Sequence, residues 1–204
     1  MEKLRLEQAM RIFVGNDELR PIFQKPYKQE GFYYATDAHA LIRVVDSFIL
    51  DFEFQERPNT KDVIKASTHE PIEIDLVELE KHLDSVTPEV ADTYECPDCN
   101  GYGTEECNLG HDHECVTCDG EGSREYNPVR FVKDRYAKYK IWNGVIGRNQ
   151  LQKMFDACKI LGIEKINKTA GEGNKQYKFE TPEILFLIMP IMNTGDEEYI
   201  KTKY

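Results

Sequence analysis

Residues 32–44, FYYATDAHALIRV, read as a strand, a tight turn and a second strand. Phe32, Tyr33 and Tyr34 suit a pleated, half-buried surface, as do Leu41, Ile42 and Val44 beyond the turn. Thr36-Asp37 supplies the turn, because a short oxygen-bearing side chain can accept a hydrogen bond from backbone N–H groups just downstream. The expected strands are Gly31 to Thr36 and Ala40 to Phe48, and a hairpin of this kind must bury a face against other elements.

Working outward, Leu6, Ala9, Met10, Phe13 and Val14 share one face of a helix over Leu4 to Val14, ended by Gly15, Asn16 and Asp17. Short strands are expected at Leu19 to Gln24 and Phe52 to Gln55, with a loop at Pro58 to Thr60. Ile72 and Ile74 alternate with acids as a half-buried strand does, and Asp75 then caps a helix carrying Leu76, Leu79 and Leu83. Val129 to Val145 alternates as strands. Asn149 to Leu161 places Leu151, Met154, Phe155, Cys158 and Leu161 on one helical face, with Gly162 at its end, so Cys158 reads as a core thiol. Strands at Gln176 to Glu180 and Glu183 to Met192 follow, joined by a Thr-Pro turn. Each half is a helix followed by hairpins, which predicts an α+β fold of duplicated helix-plus-antiparallel-strand units.

Residues 94–126 interrupt that pattern with two copies of Cys-x-x-Cys-x-Gly-x-Gly. Two residues between cysteines let a tight turn aim both sulfurs at one ion, and two such turns complete a tetrahedral thiolate shell. The spacing names Cys96, Cys99, Cys115 and Cys118 as ligands of one structural zinc ion, with no open position for catalysis. Redox-active dithiols and disulfides are the competing readings. Cys107, His111 and His113 lie between the pairs and could bind a second ion or substitute for a ligand, but they are expected to be bystanders, lacking a fourth group to complete a shell. The double motif resembles the zinc-binding region of J-domain chaperones, although the chain has no His-Pro-Asp tripeptide. The expected organisation is therefore 1–93, a zinc-binding insertion at 94–126, and 127–204.

Composition narrows the function. A hydrophobic fraction of 40% with 11% aromatics fits a folded chain of 204 residues, and the longest apolar run is far too short to span a membrane. The N-terminal MEKLRLEQAMRIF is charged throughout, so the expected compartment is the cytoplasm. Net charge is -11 but uneven: residues 1–126 hold 12 Lys+Arg against 28 Asp+Glu, and 127–204 hold 14 against 9. Such a chain can meet DNA through one surface only. No phosphate-loop, nucleophile-elbow or His-Glu-x-x-His pattern occurs, so no enzyme is expected.

Two segments carry a further resemblance. Residues 32–44 are similar to the strand, Thr-Asp-x-His-Arg-Leu turn and strand of bacterial DNA polymerase III beta sliding clamps, with Ala40 where the family has arginine. The closing ILFLIMPIM, residues 184–192, is similar to the clamp's last strand, which ends in Met-Pro-Met. The resemblance implies a DNA-clamp-like domain, one of the three in a clamp protomer, so that a ring would take several copies as a homo-oligomer. It implies a peptide-binding groove at Thr36, His39, Leu41, Leu187, Met189 and Pro190 for protein partners, although ordinary turn and core is the favoured reading of these residues taken alone. DNA would be met by the stripe Arg130, Lys133, Arg135, Lys138 and Lys140, or by the helix cations Arg148, Lys153 and Lys159. Strand alternation accounts for the stripe equally well, with charge outside and aromatics in the core. The expected function is a non-enzymatic, DNA-associated scaffold in replication or repair. The alternative is a zinc-finger adaptor or chaperone-like module that binds protein and never DNA.

Overall fold

The computed structural model describes residues 2–45, 50, 64, 70–106, 111–173, 175–192 and 198–204. The chain divides into two compact units, Met1–Val86 with Arg135–Tyr204, and Thr87–Asp134. The larger begins with α1 (Glu2–Arg11), β1 (Tyr27–Gln29), β2 (Phe32–Thr36), β3 (Ala40–Val45), β4 (Ile72–Asp75) and α2 (Leu76–Val86). Among its described residues the smaller holds six short strands: β5 (Glu89–Ala91), β6 (Thr93–Glu95), β7 (Thr104–Glu106), β8 (Asp112–Glu114), β9 (Ser123–Glu125) and β10 (Phe131–Lys133). The larger unit then resumes with β11 (Lys138–Ile141), β12 (Gly144–Gly147), α3 (Arg148–Leu161), β13 (Lys165–Ala170), β14 (Tyr177–Glu180), β15 (Ile184–Ile188) and β16 (Ile200–Lys201).

The larger unit is built on an antiparallel sheet in the order β1-β2-β3-β15-β14-β13-β4. Three strands, β1-β2-β3, and four, β15-β14-β13-β4, meet at β3 and β15, where Ala40 pairs with Ile188 and Val44 with Ile184. The α+β duplication read from the sequence is therefore the architecture observed. The unbroken apolar run ILFLI in β15 has a structural cause, because both faces of this central strand are covered. Phe186 and Ile188 join Ile42, Val44 and the apolar faces of all three helices in the main core, whereas Leu185 and Leu187 join Tyr27, Tyr34 and Leu41 on the opposite face.

Local chemistry sets the element ends. Thr36 Oγ1 donates to Ala40 O (2.8 Å), and Asp37 Oδ1 accepts from the His39 and Ala40 N–H groups, so the β2–β3 turn is held by its own side chains while Ala38 takes φ 76°. Asp75 Oδ1 accepts from Glu78 N (2.9 Å) and caps α2. At the end of α3, Gly162 adopts φ 73° and Ile163 N donates back to Cys158 O (2.8 Å). Cys158 is buried on the α3 face and its thiol is pushed up to about 12 by that burial, as an inert core group would be.

Three expectations change. Leu19 to Gln24 forms a 3-10 turn at Pro21–Phe23 rather than a strand, because Pro21 sits at its first position and Asp17 Oδ1 accepts from Leu19 N. The strand expected to reach Met192 stops at Ile188; Met189 N then bonds to His39 O in the β2–β3 turn and Ile191 N to Val145 O on β12, and Pro190 has no N–H to give. The stretch Val129 to Val145 is three separate strands, β10, β11 and β12, divided between the two units. Phe52 to Gln55, Pro58 to Thr60, residues 46–48 and Cys107 lie outside the described residues. Among those described, no helix is long and apolar enough to cross a membrane.

Candidate functional site

The smaller unit converges on four buried cysteines. Cys96, Cys99, Cys115 and Cys118 place their sulfurs within 4.8 Å of one another. Four sulfurs each about 2.3 Å from a central ion would stand about 3.8 Å apart. The Cys96–Cys115 and Cys99–Cys118 separations are 3.9 and 3.7 Å, matching that tetrahedral edge and far beyond the roughly 2.05 Å of a disulfide. The donor set therefore fits a tetrahedral metal ion.

The two knuckles repeat each other. Gly103 N points at Cys99 Sγ and Gly122 N at Cys118 Sγ, both at 3.2 Å, which would stabilise thiolates. Cys96 N donates to Gly122 O (2.8 Å) and Cys115 N to Gly103 O (2.9 Å), so each knuckle fastens the other. Spacing alone did not reveal these bonds around the sulfurs; their signal was the last glycine of each motif. A methyl group on Gly103 would stand 2.2 Å from Gly120 O, and one on Gly122 would stand 2.4 Å from Gly101 O, at φ values of 75° in both cases. Left-handed backbone alone costs an alanine about 1–2 kcal/mol. Gly103→Ala is thus expected to weaken metal retention at least about tenfold in competition with a chromophoric chelator. Gly31→Ala, at φ 79° with open space around it, should leave metal retention unchanged.

Without an ion the thiols differ in acidity. The Cys99 and Asp98 backbone N–H groups hold Cys96 below the ordinary thiol range, while the Glu105 carboxylate and burial push Cys115 up to about 12. Loading must release protons from the raised thiols, so retention should fall as pH drops. His111 and His113 are exposed, on or beside β8, and the candidate metal-binding cluster among the described residues is the four cysteines.

The groove residues named from sequence gather at one place. Thr36 pairs with Leu41 across β2–β3, Leu41 pairs with Leu187 across β3–β15, and Met189 N donates to His39 O (2.9 Å). Leu41 and Leu187 are only 4% and 2% exposed, whereas His39 is exposed and Met189 and Pro190 are half-buried.

The cations divide differently. Arg148 donates to Asp84 (2.6 Å) and Tyr139 OH (3.0 Å), Lys159 to Glu80 (2.6 Å), and Lys153 pairs with Asp37 at 2.5 Å. These three serve internal ion pairs. Burial alone would raise the Asp37 carboxyl, but hydrogen bonds from Lys153, Ala40 and His39 outweigh it and hold it below its ordinary 3.8. The stability this contributes is present above that ordinary value and is lost as pH falls through the lower native one. Asp37→Asn should flatten that part of an acid denaturation curve. In the stripe, Arg130 lies 3.4 Å over the Tyr126 ring and pairs with Asp92, and Lys133 pairs with Glu89, all within the smaller unit. Arg135 is exposed and Lys138 and Lys140 are half-buried in the larger unit, while Tyr139 and Ile141 point to its core.

No family model matches the sequence, and no curated protein does either. The fold does have solved counterparts. The DNA polymerase sliding clamp of Bacillus subtilis aligns over 94% of this chain and 63% of its own, at 13% identity and a TM-score of 0.51. The DNA polymerase III beta subunit of Borrelia burgdorferi aligns over 94% and 62%, at 14% identity and a TM-score of 0.53. The beta sliding clamp of Caulobacter crescentus aligns over 94% and 63%, at 15% identity and a TM-score of 0.52. The chain thus spans less than two thirds of the length of these clamps, though nearer two thirds than the one third expected of a single domain. At this identity the likeness is one of fold, and the fold of this chain is that of a sliding clamp.

Proposed function

We propose that the chain is a non-enzymatic, sliding-clamp-like scaffold that associates with DNA and with replication or repair proteins in the cytoplasm, and that Cys96, Cys99, Cys115 and Cys118 hold one structural zinc ion. The observation that carries the reading is the seven-stranded sheet with its paired halves, which aligns with beta clamps over almost the whole chain. Zinc suits four thiolates with no vacant position, and its part is to fold a segment with little apolar core of its own.

In this reading several copies close around duplex DNA. Arg135, Lys138 and Lys140 are the candidate phosphate contacts of the larger unit, as the part of the basic stripe that lies in it; Arg148 and Lys153 pair with Asp84 and Asp37. The turn at Thr36 and His39, with Leu41, Leu187, Met189 and Pro190 behind it, is the candidate peptide groove. His39 is its exposed part, Met189 and Pro190 are half-buried, and peptide entry at Leu41 and Leu187 requires their cover to yield.

Retention on DNA of different topology tests this. The protein, supplied with the loading factors of its host, should stay on closed circular plasmid through a high-salt wash and be lost when the plasmid is cut. Equal loss from both forms, or equal retention on both, would overturn the clamp reading. Binding confined to protein partners would favour the adaptor.

A further inference from the structure

We propose that the knuckle end of the smaller unit is a docking surface for a cationic segment of a partner protein that carries an apolar anchor. Tyr102 and Val116 are 82% and 84% exposed. The Cys115 N to Gly103 O bond brings their stretches together just before β7 and just after β8. The metal site requires neither residue. Tyr102 occupies the place that Glu121 takes in the second motif copy, and Val116 the place that Pro97 takes in the first. Two large apolar side chains kept in water on stretches that this bond joins, where the matching motif positions hold polar or compact residues, mark a contact surface.

The charge around them specifies what fits. Residues 87–134 carry 12 Asp+Glu against 3 Lys+Arg, and four thiolates around a divalent cation would add two more negative charges. Next to the apolar pair, β7 and β8 set Glu106 directly opposite Asp112, with Glu114 opposite Thr104. Like charges facing each other across a two-stranded ribbon weaken it. Among the described residues no cation pairs with Glu106, Asp112 or Glu114, so the ribbon gains nothing from holding them together. A phosphate backbone would be repelled, and a purely apolar peptide would leave these carboxylates unanswered. A segment with Lys or Arg flanking a Leu or aromatic residue satisfies both features, with electrostatic attraction speeding its encounter. The inference rests on the fold of the smaller unit alone and stands whether or not the larger unit encircles DNA.

The test uses the whole, zinc-loaded protein and three fluorescein-labelled synthetic peptides of equal length, alternating Lys with Leu, Lys with Ser, and Glu with Leu. Anisotropy should report binding of the Lys/Leu peptide, with the Lys/Ser peptide at least about tenfold weaker and the Glu/Leu peptide silent. Tyr102→Ser combined with Val116→Ser should weaken the Lys/Leu peptide about tenfold, and Glu106→Gln with Asp112→Asn should reduce its salt dependence. Native mass spectra of both variants should still show the metal; its loss would overturn the premise that these side chains are spare to the fold. Equal binding of the two Lys peptides, or wild-type affinity in the variants, would overturn the proposal itself.

Discussion

Cys96→Ser should abolish stable metal binding and unfold the smaller unit while leaving the larger one folded. The buried apolar cluster of the smaller unit, among the described residues, consists of the four cysteines themselves. Its strands are three residues each, and two-stranded ribbons of that length are marginal in water. Structural zinc in small domains supplies on the order of 10–16 kcal/mol of apparent binding energy, much of which is folding energy. Removing one thiolate opens the tetrahedron and leaves three buried sulfurs without a shared cation. Hydrogen exchange read segment by segment is the measurement: amides of 94–126 should lose protection, and those of β3, β15 and α3 should keep it. Uniform loss across both units would show that the metal supports the whole chain. Unchanged protection in both would show that the cysteines need no metal to pack.

Phe186→Ala should cost the larger unit about 3–5 kcal/mol, the range for deleting a buried ring. Phe186 is fully buried at the centre of β15, the strand on which the two halves meet, and its ring lies 5.7 Å from that of Phe13, which follows α1. A domain of ordinary stability has only about 5–15 kcal/mol in total, so the variant should approach the unfolding threshold. Denaturant titration should show the midpoint falling steeply with the slope unchanged. Leu19→Ser, at a side chain 92% exposed, should stay within about 0.5 kcal/mol of the parent. Comparable losses in the two variants would contradict the placement of the core.

What could be read from the sequence follows the range of the interactions concerned. The cysteine cluster was legible because metal chemistry writes its geometry into a spacing of two residues, and α3 because Leu151, Met154, Phe155 and Cys158 repeat with the helical period. The duplication was legible as repeated order. The pairing of β3 with β15 was not derivable from periodicity, since it joins residues about 140 positions apart; the resemblance implied only that the two segments line one groove. The strand β13 was passed over because KINKTA carries Lys165, Asn167 and Lys168; the burial of Lys168, near the Trp142 and Tyr177 rings at 5.8 and 5.9 Å, is a tertiary fact. The helix cations misled in the same way. Arg148 and Lys153 read as free charge, but their partners Asp84 and Asp37 lie 64 and 116 residues away. Leu19 to Gln24 failed for a local reason, because Pro21 and Asp17 favour a tight turn over an extended strand.

A native mass spectrum of the purified protein tests the account most directly, since one experiment counts both the metal and the chains. The account predicts a discrete multimer carrying one zinc ion per chain. A metal-free spectrum would contradict the four-thiolate centre, and a monomer at every concentration, with its zinc in place, would contradict assembly into a clamp.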